Sequence, residues 1–225
     1  MAMIAEYAQF ARSVYNRDEA FALGGWQCIK WESGTWYGNG FQGGIFIGDR
    51  EIIVACKGTS LKTQAAPSDL SADLRIGVGA IPNQAGSAYK MVKAAMQVAA
   101  GRVISITGHS LGGALAQVVG YWCNVPFVSF NAPPMKGNIR ASHFNFLKPV
   151  QMARSWSAPS MADINGGWNF RVNGDFISWA AARDHLGVLV ELTNPNADGS
   201  KAHAMKTCMD ALSHTDWFTM QAFNV

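Results

Sequence analysis

The stretch ITGHSLGGALAQVV, residues 106–119, sets one serine among glycines: Gly108 stands two residues before Ser110, Gly112 two after, and Gly113 next. A serine hydroxyl is a poor nucleophile until a base takes its proton and donors hold the oxyanion that forms. A sharp turn between a strand and a helix supplies part of this. It lifts the hydroxyl clear of the sheet and aims the free N–H groups of the helix N-terminus at the developing charge. Side chains two residues away on either side would collide in so tight a turn, so glycines 108 and 112 make room. Gly113 lets the helix pack close to the strand. The backbone N–H of Leu111, the residue after the serine, is one expected oxyanion donor.

The elements that must position this turn are readable on either side of it. RVISIT, residues 102–107, is a short apolar strand, and the helix that follows turns Leu111, Leu115, Val118 and Trp122 inward. The start of the chain, MAMIAEYAQFARSVYNRDEAF, spaces Ile4, Tyr7, Ala8, Ala11 and Val14 as one amphipathic first helix. GWQCIKWE and GGIFIGDREIIVACKGTS read as strands between glycine-rich turns, and SLKTQAAPSDLSADL as a polar connection. GSAYKMVKAAMQVAAG puts Tyr89, Val92, Met96 and Ala99 on one helical face and stops at Gly101. VPFVSF is a buried strand, residues 132–165 read as irregular, WNFRVN and LGVLVEL as late strands, and HAMKTCMDAL as a last helix. Strands alternating with helices, several of them continuously apolar, predict a mostly parallel central sheet with helices on both faces.

Composition narrows the function classes. The 225 residues suit one domain spanning 1–225, with 49% apolar and 15% charged residues. A net charge of +3 without basic blocks points to no nucleic-acid partner. Cys28, Cys56, Cys123 and Cys208 lie far apart with no CxxC pair, so they read as packed free thiols, and no metal site or cofactor is expected. No basic n-region with an apolar run opens the chain, and the uncharged stretch from Val103 to Met135 is broken by glycines and prolines. Neither a signal peptide nor a transmembrane segment is expected, which implies a protein that stays in the cytoplasm or leaves by a signal-independent route.

ITGHSLGGALAQVV resembles the nucleophile turn of the class 3, fungal-type lipases. IIVACKGTS is similar to that family's strand ending in an Arg-Gly-Thr or Arg-Gly-Ser turn, with Lys57 in place of the arginine. SDLSADL and GSAYKMVKAAM resemble the connection and helix before the serine strand, FVSFNAPP the strand after it, and FRVNGDFIS the segment that carries the acid. The likeness runs in consistent order from about residue 1 to 212. One departure is Gln84-Ala85-Gly86-Ser87, which replaces a His-x-Gly-Phe before the second helix.

The resemblance implies an α/β-hydrolase fold and a triad in the order Ser, Asp, His, with Ser110 as nucleophile. Asp175 follows a predicted strand after a glycine turn and is the expected acid, with Asp163 and Asp184 as alternatives. The base is expected among His185, His203 and His214: His203 opens the last helix as the family's histidine does, His214 follows that helix, and His185 introduces a strand. His109 reads as a packed supporting residue and His143 as a surface one. By resemblance Thr59 in KGT gives the second oxyanion donor.

This chemistry implies ester hydrolysis through an acyl-enzyme, with glycerolipid or phospholipid esters as substrate and a lipid or membrane surface as partner. Residues 60–72 or 135–168 are candidate lids, and Trp156 and Trp168 suit a membrane–water interface. Small bacterial relatives of this kind resemble antibacterial phospholipase effectors of type VI secretion, which would bring a cognate immunity protein. The competing readings are an esterase, thioesterase or acyltransferase for small soluble esters, and a non-catalytic binding protein on the same scaffold.

Overall fold

The computed structural model describes residues 2–34, 39–59, 81–164, 166–175, 177–178, 184–194 and 201–223. The connection SLKTQAAPSDLSADL and the candidate lid 60–72 lie outside them. Seven strands lie side by side in chain order: β1 (Gln27–Ser33), β2 (Gln42–Ile47), β3 (Glu51–Cys56), β4 (Val103–His109), β5 (Phe127–Phe130), β6 (Gly167–Val172) and β7 (Val188–Leu192). The first two pairings are antiparallel and the remaining four parallel.

Both faces of this sheet are covered, which is why β3 can be apolar from Ile52 to Cys56 without exposing anything. Ile52, Val54 and Cys56 point into one core, and Ile53 and Ala55 into the other. The helices α3 (Ala85–Gln97) and α4 (Leu111–Cys123) fill the first core through Ala88, Met91, Val92, Leu115 and Val118. The second is closed by α1 (Ile4–Ser13) and α7 (Met205–Ser213), with Tyr7, Phe10 and Leu212 fully buried. Each such large apolar side chain contributes roughly 1.5–3 kcal/mol by leaving water.

The N-terminal segment is two helices rather than one. Asn16 interrupts it: its side chain accepts from the Asp18 N–H at 3.0 Å and caps the short α2 (Arg17–Phe21). The larger difference lies in 132–165, which holds two helices, α5 (Lys136–Ser142) and α6 (Pro149–Ser157). Pro149 opens α6 at the position where its missing N–H costs nothing. A buried side-chain network ties this pair to the far end of α4: the Trp122 indole donates to Ser155 Oγ at 2.9 Å, and Ser155 Oγ meets Ser142 Oγ at 2.6 Å.

Backbone packs closely at the β4–α4 turn. Ser110 takes φ 57°, ψ −125°, a conformation that costs a non-glycine residue about 1–3 kcal/mol. A Cβ on Gly108 would overlap the Gly112 carbonyl, and one on Gly112 would overlap the carbonyl of Cys56 at the end of β3. At Gly113 it would come within 2.6 Å of the Ala132 Cβ. Each of these contacts is with backbone or a short side chain that has nowhere to move. Gly112→Ala is therefore expected to destabilise the fold by about 3 kcal/mol, read as a lower urea midpoint, whereas Gly24→Ala, with open space around it, changes the midpoint little. Equal midpoints for the two variants would contradict this account of the turn.

Candidate active site

Parallel strands β4, β5 and β6 deliver their carboxyl ends to one region, and three sequence-nominated side chains meet there. Ser110 follows β4, Asp175 follows β6 after Gly174 (φ 89°), and His203 stands two residues before α7. Ser110 Oγ lies 2.9 Å from His203 Nε2, and His203 Nδ1 lies 3.0 Å from Asp175 Oδ1. A carboxylate accepts only, so Nδ1 carries the proton and Nε2 is left free to accept from the serine hydroxyl. Asp175 takes two further bonds, from Ile177 N–H at 3.1 Å and Ser178 N–H at 3.3 Å. Burial pushes its pKa upward, but the bonds from His203, Ser178 and Ile177 outweigh this and hold the carboxyl below its ordinary value. All three side chains are buried, so the polar contacts between them are little screened by water.

The other nominated residues fall elsewhere. Asp163 and Asp184 are exposed, and Asp184 pairs with Lys136 at 3.9 Å. His214 is exposed on the C-terminal end of α7, with Nδ1 on the Asp210 carbonyl at 2.7 Å. His185 is buried before β7, and burial lowers its pKa to about 4. His143 is half-buried rather than on the surface, its Nδ1 3.0 Å from the Ile139 carbonyl. Thr59 and Leu111 line one cleft of about 240 Å3 together with Lys57 and Gly58. Leu111 opens α4, where the first N–H groups have no acceptor within the helix. Among the described residues no group of three His, Cys, Asp or Glu side chains gathers to hold a metal ion.

Three supporting residues complete the arrangement. His109 Nε2 lies 2.7 Å from the His203 carbonyl, which only accepts, so Nε2 carries the proton. His109 Nδ1 then accepts from the Tyr15 hydroxyl at 3.1 Å. Asn131, buried and in the left-handed region at φ 45°, donates to the carbonyls of Ala202 (2.9 Å) and His203 (3.2 Å) and accepts from Val172 N–H (2.9 Å). It thus ties the ends of β5 and β6 to the loop that carries His203. Lys57 donates to Gln42 Oε1 at 2.9 Å, and Gln42 in turn donates to the Val14 carbonyl. Sequence reading nominated His109 as a support, whereas Tyr15 and Asn131 carried no signal. Both act on parts of the chain far away in sequence, and although Asn131 lies within FVSFNAPP, nothing in that stretch assigned it a role.

A family model described as a phospholipase-like, Tle-like phospholipase domain matches residues 6–184. The chain belongs to this family. No curated protein sequence matches the chain. Lip2 lipase from Yarrowia lipolytica superposes with a TM-score of 0.53 at 15% identity, covering 97% of this chain and 93% of that one. The Rhizomucor miehei lipase in its propeptide complex gives 0.53 at 14% identity, covering 96% and 80%. At such identities the likeness establishes the fold, an α/β-hydrolase of the fungal class 3 lipase type. Family membership makes this Tle-like phospholipase-domain protein an ester hydrolase of the lipase and phospholipase class. Among the described residues no helix is long and apolar enough to cross a membrane.

The buried histidines give the protein a pH dependence of defined sign. Burial first, then the neighbouring His203, lowers the pKa of His109 from 6.5 to about 3. The unfolded chain takes up a proton at this residue below pH 6.5, while the folded chain does not until about 3. Its contribution to stability is therefore whole above 6.5 and declines as the pH falls, by about 1.4 kcal/mol per pH unit. His185 acts in the same direction down to about pH 4. Urea unfolding between pH 6.5 and 4.5 should show His109→Gln losing stability less steeply than wild type by about that amount per unit. Parallel slopes would mean that His109 is protonated in the folded protein.

Proposed function

We propose that this chain, acting as one domain, is a serine hydrolase that cleaves acyl esters of glycerophospholipids through an acyl-enzyme. The observation that carries the proposal is the hydrogen-bonded series Ser110–His203–Asp175, set beside a cleft shared by Thr59 and Leu111. His203 Nε2 takes the Ser110 proton as Oγ attacks the ester carbonyl carbon. The carbonyl oxygen becomes an oxyanion, held by the backbone N–H groups of Leu111 and Thr59. Collapse of this intermediate breaks the bond to the alcohol, which leaves with the proton returned by His203. Water then attacks the acyl-serine by the same route and releases the fatty acid. Asp175 keeps the imidazole in the tautomer with Nδ1–H and stabilises the imidazolium as it forms.

Phospholipid as substrate is supported by the family description, and lipid esters in general by the lipases that share the fold. The proposal extends to an antibacterial effector role, in which the producing cell would hold an immunity protein against the enzyme.

Release of fatty acid from phospholipid vesicles should fall by about a thousandfold or more in Ser110→Ala and in His203→Ala, with both variants folded. His214→Ala should keep near-normal turnover. Near-normal activity of Ser110→Ala would overturn the mechanism, and inactivity of His214→Ala alone would move the base to that residue. Serine-dependent cleavage of a short soluble ester, with no action on vesicles, would leave an esterase in place of a phospholipase.

A further inference from the structure

The segment that joins α5 to α6 leaves its apolar side chains in water. Of twelve exposed large hydrophobic residues among those described, five fall between positions 144 and 156: Phe144, Phe146, Leu147, Val150 and Trp156. Leu147 at the tip is 91% exposed, Phe144 76% and Phe146 74%. A folded chain gains roughly 1.5–3 kcal/mol for each such side chain it buries, so a group this dense marks a surface that something else covers. The platform beneath it is firm. The Trp156 indole donates to the His143 carbonyl at 2.8 Å, and the Ser142–Ser155–Trp122 network fastens both helices to α4.

Charge identifies the occupant. From position 74 to position 162 the sequence has eight Lys and Arg residues and no Asp or Glu. Arg140 and Lys148 are exposed on either side of the apolar tip, and Arg154 is half-buried over the Tyr89 ring at 4.2 Å. Aromatic and aliphatic side chains projecting beside Arg140, Lys148 and Arg154 match a bilayer with an anionic surface: the rings enter the headgroup boundary and the cations meet the phosphates.

The tip also stands next to the candidate site. Leu147, Lys148 and Val150 line a cleft with Asn39, Asn83 and Gly86, and Lys148 Nζ reaches Asn83 Oδ1 at 3.4 Å. The next residue along each wall, Gly40 and Gln84, lines the adjoining cleft that holds Thr59 and Leu111. We propose that the α5–α6 tip, with Phe144, Phe146 and Leu147 at its apex and Arg140 and Lys148 beside it, docks the protein on anionic phospholipid bilayers. It does so with the oxyanion-side cleft facing the lipid. The proposal rests on the phospholipase reading for its purpose, but the docking itself is measured without catalysis.

The test is co-sedimentation of Ser110→Ala with two kinds of vesicle, phosphatidylcholine alone and phosphatidylcholine with phosphatidylglycerol. The parent should bind the mixed vesicles more tightly and lose the preference at high salt. Adding Phe144→Ser, Phe146→Ser and Leu147→Ser should weaken binding to the mixed vesicles by about tenfold or more per residue. Adding Arg140→Gln and Lys148→Gln should weaken it by about fivefold per residue and leave binding to neutral vesicles unchanged. In the catalytic background the same substitutions should spare hydrolysis of a short soluble ester, which shows that they fold. Unchanged vesicle binding by the serine variants would overturn the docking surface, as would conversion of a dimer to a monomer without loss of lipid binding. Equal binding to both vesicles would overturn the anionic preference. If docking follows these expectations while wild type releases no fatty acid, the phospholipase reading fails and the docking surface stands.

Discussion

Backbone meets backbone at the β4–α4 turn with no room for a side chain. The Cys56 carbonyl at the end of β3 presses on Gly112, and Gly112 presses on Gly108. This contact couples two pieces of chain that the proposed chemistry needs together. Because β3 runs on into Lys57, Gly58 and Thr59, the packing that holds the serine turn also holds the loop beside it. A Cβ on Gly58 would overlap both the Tyr15 hydroxyl and the His109 carbonyl, so the loop, the turn after α1 and the serine turn pack against one another. The strain at Ser110 is sustained because its neighbours leave it no other conformation.

Polar groups in the same region extend this rigidity to the histidine. The His203 carbonyl receives one donor from His109 and one from Asn131, which fixes the backbone that carries the imidazole. The ring is then fixed from the other end by Asp175, itself held by two backbone N–H groups. Buried donors and acceptors of this kind are costly when unpaired and stiffening when paired. Here each side chain of the series has its partner, and the series ends on the Ser110 hydroxyl at the N-terminus of α4.

Much of this was legible in the sequence because it depends on local spacing. The glycines around Ser110 and the doubly apolar β3 each report a short-range constraint, and the order of elements follows from them. Residues 132–165 read as irregular for a physical reason: the apolar residues of α5–α6 face water as well as the core, so no buried stripe marks a helix. His203 and His214 bracket the same helix, α7, and helical period cannot rank them. Their surroundings differ: one is buried against Asp175 and the other exposed on the Asp210 carbonyl. The roles of Tyr15 and Asn131 were illegible because each acts on chain far away in sequence, His109 for Tyr15 and Val172, Ala202 and His203 for Asn131, through contacts that no local pattern encodes.

The central claim is that Ser110 is a nucleophile activated by His203. A fluorophosphonate probe, which forms a stable bond only with an activated serine, tests it directly when the adduct is mapped by peptide mass spectrometry. The account predicts one equivalent of label on Ser110, abolished in His203→Ala and retained in His214→Ala. Label on another residue, or undiminished labelling of Ser110 without His203, would contradict it.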